Sequence, residues 1–171
     1  MSPEERSEVV QALEDSRKVF NDAAGGFSES QAGTRPAEGR WSVLECVEHV
    51  TTVEERFLGF LERAGRLDAP AIDPKKEAGL LALVTDRTTR AQAPEPVRPV
   101  GRFATLSEAV DGFNAARTRT VAYATERAAD LPSHDCHHPR FGAMNGREMC
   151  MVIAGHARRH AEQIREIRAA M

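Results

Sequence analysis

The segment Cys150-Met151-Val152-Ile153-Ala154-Gly155-His156-Ala157-Arg158-Arg159-His160-Ala161-Glu162-Gln163-Ile164 reads as the middle of one long amphipathic helix. Met149, Val152, Ile153, His156, His160, Ile164 and Ile167 recur at steps of three and four and share one stripe. The charged residues Arg147, Glu148, Arg158, Arg159, Glu162, Arg165, Glu166 and Arg168 fall off it. His156 and His160 therefore point where the apolar side chains point. They are one helical turn apart, so both rings can reach a single ion. Asn145, with Glu148 three residues on, supplies the helix start.

Working outward, the same start chemistry recurs. Trp41-Ser42-Val43-Leu44-Glu45-Cys46 is a capping box, with Trp41 placed to staple against Cys46. It opens a helix to about Ala64, with Gly65 as its stop and Val43, Cys46, Val47, Val50, Val53, Phe57 and Leu61 as its apolar stripe. His49 lies beside Val50 on that face. Thr105-Leu106-Ser107-Glu108 opens a third helix, whose stripe is Leu106, Val110, Phe113, Arg117, Val121, Ala124 and Ala128, ending near Leu131-Pro132. Ser2-Pro3-Glu4-Glu5 starts the first, with Val9, Leu13, Ser16 and Phe20 inward to about Asp22 and Gly25-Gly26 behind.

Between these helices the chain is less regular. Residues 26–40 read as loop. Asp73-Pro74 begins a short helix carrying Leu80, Leu81, Leu83 and Val84. Ala93-Pro94-Glu95-Pro96-Val97-Arg98-Pro99, with three prolines, is an extended crossover. Four long amphipathic helices with a long connection between the second and third predict an all-α four-helix bundle, as one domain over residues 1–171.

Composition excludes several classes. A net charge of −3 does not suggest a nucleic-acid partner, and aromatics at 5% with abundant Ala, Glu and Arg favour helix over sheet. No apolar run approaches the roughly 20 residues a membrane span needs. The acidic Met1-Ser2-Pro3-Glu4-Glu5 lacks the order of a signal peptide, so the expectation is a cytoplasmic protein without a membrane partner. Three cysteines form no disulfide framework, and Cys46 and Cys150 are expected as reduced core residues.

The pair at 156 and 160 alone is weak, because core histidines are commonly hydrogen-bonded to a neighbour. His49 on a facing helix adds a third inward imidazole, and bundles build sites from facing helices. The expected metal ligands are His49, His156 and His160. Ala157 stands where a zinc protease carries its glutamate base, so a peptidase is not expected. His134-Asp135-Cys136-His137-His138 reads as a solvated loop, with His138 able to reach the bundle mouth. Arg117 is either a snorkelling boundary residue or a cofactor-binding group that holds an anion near the pocket. Gln163 can orient a ligand, or simply pack or face solvent.

Three pieces of the chain together resemble the DinB-like superfamily, also called the DinB/YfiT-like metalloenzymes. They are Gly39 to Val50 with its Trp-Ser helix start and His49; the Pro-rich crossover followed by a helix bearing Arg117; and Pro139-Arg140-Phe141-Gly142 leading to His156 through Ile164. The resemblance implies an up-down-down-up bundle, often a homodimer. It implies a divalent metal, zinc, nickel or iron, on three histidines, carried here onto His49, His156 and His160. It further implies a thiol S-transferase that adds a low-molecular-weight thiol to a small-molecule electrophile, as relatives using bacillithiol, mycothiol or glutathione do, and a thiol-dependent maleylpyruvate isomerase among them. The alternative is a non-enzymatic metal-binding bundle acting as a stress-response or binding module. Leu58 and Met151 are the apolar residues offered for a dimer contact. No general acid or base is assigned.

Overall fold

The computed structural model describes residues 3–68, 72–88 and 92–171. Its long helices are α1 (Pro3–Ala24), α3 (Val43–Glu62), α5 (Leu106–Glu126) and α6 (Gly146–Ala169), with shorter α2 (Glu29–Gly33) and α4 (Pro74–Thr85) between them. Three of the four expected starts appear as complete capping boxes, at Ser42 with Glu45, Thr105 with Glu108, and Asn145 with Glu148. The fourth, at Ser2, lies outside the described residues. Asp73 accepts from the N–H groups of Lys75 and Lys76 and Pro74 stands in the first turn of α4, as its sequence predicts.

Cross-helix bonds give the directions. Arg117 of α5 reaches Leu13 of α1 and Asn21 donates to Asn114, so α1 and α5 run antiparallel. Arg117 with Glu54, and Tyr123 with the Leu61 carbonyl, make α3 and α5 parallel. Arg147 with Glu8, and Arg168 with the Ala23 carbonyl, make α1 and α6 parallel. His49 meets His156 where α3 passes α6, and the core clusters pair the start of α3 with the end of α6. The order is up-down-down-up, with the long crossover between α3 and α5.

The inward stripes hold. Val9, Leu13, Ser16 and Phe20 are all buried, as are Val43, Cys46, Val47, Val50, Val53, Phe57 and Leu61. Arg147 and Glu148, off the apolar stripe of α6, are buried too, because each has ionic partners. Arg147 donates to Glu77 at 2.7 Å and Glu8 at 2.9 Å, while Lys76 reaches Glu148 at 2.7 Å. These pairs tie α4 to α6. Gly155 allows that contact, since a Cβ there would stand 2.4 Å from a methyl of Val84. On α4, Leu80 and Val84 face in, whereas Leu83 is 57% exposed.

Several expectations are corrected. Residues 134–142 are not a solvated loop. β2 (His134–His138) and β3 (Gly142–Met144) form an antiparallel hairpin, and β1 (Gly65–Arg66) pairs with β2. Cys136 and His138 alternate inward while Asp135 and His137 face out. The inward residues are polar by name, so the two-residue period was masked. α2 interrupts the 26–40 loop through a capping box of Ser28 and Gln31. α5 stops at Glu126, short of Leu131-Pro132. Leu58 is buried and Met151 half-buried, so they offer no exposed apolar patch. Among the described residues, no helix is long and apolar enough to cross a membrane.

Candidate metal centre

Two capping boxes set the phase of the site. Ser42 fixes where α3 begins, which turns His49 inward beside Cys46 and Val50. Asn145 does the same for α6 and sets His156 and His160 one turn apart. The antiparallel crossing of α3 and α6 then brings residue 49 level with 156 and 160. One ligand nitrogen from each of the three rings lies within 4.8 Å of the others. His49 Nε2 and His156 Nε2 are 3.2 Å apart, and the ring centroids of His156 and His160 are 4.5 Å apart. Nitrogens bound to a tetrahedral zinc ion stand about 3.3 Å apart. The observed spacing therefore needs only small ring rotations.

Burial and tautomer suit ligation. His49 is 5% and His160 6% exposed, and His156 is half-buried. His49 Nδ1–H donates to the Val97 carbonyl at 2.6 Å, which leaves Nε2 as a bare lone pair facing the other rings. His160 Nδ1 is buried without a hydrogen-bond partner among the described residues. An orphaned buried nitrogen costs free energy, and an ion bound at that nitrogen would relieve the cost. Burial lowers the pKa of His49 against the opposing pull of the Val97 bond. Burial first, then neighbouring cations, holds His156 and His160 well below the usual histidine range. All three rings are thus neutral near pH 7, the form that binds metal. On this observation the residues present fit a divalent ion.

The surroundings are cationic. The charges that bear on His156 and His160 come from Arg159, Arg117, Arg87 and the other histidines. Arg87 spans from the end of α4 to Glu166 at 2.6 and 2.8 Å, and lies 3.5 Å from Gln163. Gln163 thus meets Arg87 rather than a ligand ring. Trp41, expected to staple Cys46, lays its ring 4.8 Å from His49 and 6.3 Å from His160.

Arg117 stands elsewhere in role. It is fully buried, and its nitrogens bind Glu54 at 2.6 and 2.9 Å, Ser16 Oγ at 2.6 Å and the Leu13 carbonyl. That geometry corrects both readings made from sequence. The guanidinium neither snorkels to a boundary nor presents a nitrogen to an incoming cofactor; it joins α1, α3 and α5. Of the loop histidines, His134 bonds the Asp130 carbonyl and Tyr123. His138 packs between Phe57 and Phe141, and its Nδ1 accepts the N–H groups of Arg140 and Phe141. Neither joins the triad. Two site elements escaped the sequence reading: the Val97 carbonyl and the Glu48 carboxylate, which accepts three N–H groups from residues 100–102. The carbonyl is backbone and carries no residue-type signal. The carboxylate resembles any polar helix position until the crossover is folded over it.

An up-down-down-up bundle with three imidazoles gathered from α3 and α6 defines a class of helical proteins with a candidate metal centre between facing helices. The chain belongs to the DinB superfamily, whose family model matches residues 12–164. It is 24% identical over 158 residues to the uncharacterized protein YuaE of Bacillus subtilis, covering 88% of this chain and 95% of YuaE. Its fold is similar to that of YfiT from Bacillus subtilis, with a TM-score of 0.60 and 18% identity over 99% of this chain and 89% of that one. YfiT is described as a probable metal-dependent hydrolase with an unusual four-helix bundle topology.

Proposed function

We propose that this protein is a divalent-metal-dependent enzyme that transfers a low-molecular-weight thiol to a small electrophile, with His49, His156 and His160 holding the ion. The observation that carries the reading is the convergence of three neutral imidazoles, one with its free nitrogen fixed by Val97 and one with an orphaned nitrogen. Three protein ligands leave coordination positions open, and a bound ion would supply Lewis-acid activation of the thiol that enters there. The chain's own residues supply the rest. His49 is held in one tautomer. Trp41 covers one side of the rings. Arg159 is a cation that bears on both His156 and His160 and favours a thiolate over a thiol, while Arg87 is paired with Glu166.

The thiol must come from outside. Burial pushes Cys46 and Cys150 up to about 12 and Cys136 up to about 11, so none is a ready nucleophile. A thiol coordinated to the ion would lose its proton to solvent, so no side-chain base is assigned. Hydrolysis, the reaction class ascribed to YfiT, is the second reading, favoured by the shared fold. It is less well served, because Glu166, a carboxylate beside the arginines that bear on His160, is engaged by Arg87 at 2.6 and 2.8 Å.

The test is to load purified protein with zinc, nickel or iron and assay conjugation of a thiol panel to a chlorinated aromatic electrophile. Ester hydrolysis is followed alongside. Thiol conjugation that is lost on chelation and in His156→Ala supports the proposal. Metal-dependent hydrolysis without conjugation moves the assignment to the second reading. Metal uptake with neither activity leaves the non-enzymatic binding module.

A further inference from the structure

Glu48 is 2% exposed and precedes His49 on α3. Its side chain does not serve the helix. Oε1 accepts the N–H of Val100 at 2.6 Å, and Oε2 accepts those of Gly101 and Arg102 at 3.1 Å each. Three consecutive N–H groups converge on one carboxylate because Gly101 has φ +81°, a left-handed conformation that other residues adopt only under strain. The segment so gripped is the end of the crossover from α4 to α5. Three residues before the grip, a single 3₁₀ turn (Glu95–Val97) presents the Val97 carbonyl to His49 Nδ1 at 2.6 Å. Two adjacent side chains of α3 thus hold the same short strap, one by its backbone donors and one by a backbone acceptor.

We infer that Glu48 is a positioning residue for the metal centre: by clamping residues 100–102 it keeps the Val97 carbonyl on His49 Nδ1, and so fixes which nitrogen of His49 faces His156 and His160. This rests on the reading that the three histidines hold an ion. Without the clamp, the strap keeps the Val97 side chain, packed in the core, and the Arg102 guanidinium on Glu55 of α3 at 2.6 and 3.0 Å, but its backbone from 100 to 102 is no longer fixed against α3. The carbonyl then drifts, His49 samples both tautomers, and its Nε2 carries a proton part of the time. Groups that orient a ligand imidazole in this way commonly change metal affinity by one or two orders of magnitude.

Two variants of the full chain test the clamp. Glu48→Gln keeps the shape but replaces one acceptor oxygen with an amide nitrogen that cannot accept. Val100→Pro removes the donor of the 2.6 Å bond and fixes the local φ, at a position 86% exposed, so it removes no core packing. Two measurements are made: ring-nitrogen NMR of the histidines in metal-free protein, and zinc affinity by chelator competition. Wild type should show one His49 tautomer with the proton on Nδ1. Glu48→Gln should show both tautomers and bind zinc about 10- to 100-fold more weakly, with Val100→Pro in the same direction and smaller. A purely structural Glu48 would lower the unfolding midpoint yet leave the ring spectrum and zinc affinity as in wild type, and that result overturns the inference. If Glu48→Gln does not fold, Val100→Pro decides by the same two readouts. Wild-type protein that takes up no zinc, nickel or iron sinks the proposed metal centre instead, and the metal-free ring spectra still decide on the clamp.

Discussion

Replacing Glu54 with alanine strands the Arg117 guanidinium in the middle of the bundle. Arg117 is fully buried and Glu54 is 2% exposed, and two bonds of 2.6 and 2.9 Å join them. After the change, the only acceptors left in contact among the described residues are neutral, the Leu13 carbonyl and Ser16 Oγ. Removing one partner of such a pair costs about 3–5 kcal/mol, because the other charge stays out of water. For a chain of this size each kcal/mol moves the melting midpoint by about 2–4 °C, so a fall of roughly 6–20 °C is expected. The double change Glu54→Leu with Arg117→Met removes both charges and should cost less than either single change. Urea and thermal unfolding of the metal-free protein, each followed by helical circular dichroism, measure the free energies and the midpoint shifts. If Glu54→Ala costs less than about 1 kcal/mol, the pair is not the junction of α1, α3 and α5 that the geometry describes.

Zinc at about 100 times its dissociation constant should stabilise the protein by about 2.7 kcal/mol, a midpoint rise of roughly 5–11 °C. His49→Ala, His156→Ala and His160→Ala should each abolish that rise and His134→Ala should not; a thermal-shift series with zinc, nickel and iron that shows no rise removes the centre. His138 is neutral in the fold, pushed down to about 4 chiefly by burial, while the unfolded chain titrates it near 6.5. Its folded pKa is the lower one, so the unfolded state gains protons first. The stability it contributes is complete above about pH 6.5 and is lost as pH falls toward 4, by about 2 kcal/mol between pH 7 and 5. Urea titrations of wild type and His138→Asn at those two pH values should differ by that amount, and parallel pH profiles would refute it. The homodimer implied by the family resemblance predicts about twice the 18.8 kDa chain mass by light scattering at micromolar concentration, and a clean monomer removes it.

The helices were legible because their signals are local. Capping boxes at Ser42, Thr105 and Asn145 involve residues three apart, and stripes of apolar residues need no knowledge of their partners. The inward direction of His49, His156 and His160 followed from the same phase. What stayed hidden depends on pairing across the fold. Arg117 interrupts an apolar stripe, and only the crossing of α3 and α5 shows that Glu54 completes it. The hairpin escaped because its inward residues are Cys136 and His138, which become core only once Phe57 and Phe141 enclose the His138 ring. Glu48 escaped for a related reason, since its partners are backbone groups more than fifty positions away.

The triad divides the same way, and the division explains how the centre is built. His156 and His160 owe their separation to helical geometry alone, so any chain that forms α6 presents them together. The third nitrogen depends on α3 lying close to α6 at the right height. A slip of one residue along α3 would move His49 by about 1.5 Å and turn it by about 100° away from the other rings. Ala157 and Ala161 on α6 are fully buried in the same cluster as Val43, Cys46, Val47 and Val50 on α3. Small residues there let the helix axes approach closely enough for imidazoles to meet. The Val97 bond then decides which nitrogen His49 turns inward. Two rigid helices thus supply the positions of the three candidate ligand nitrogens. The irregular crossover, the part of the chain with the least regular sequence pattern, sets the tautomer of His49 alone.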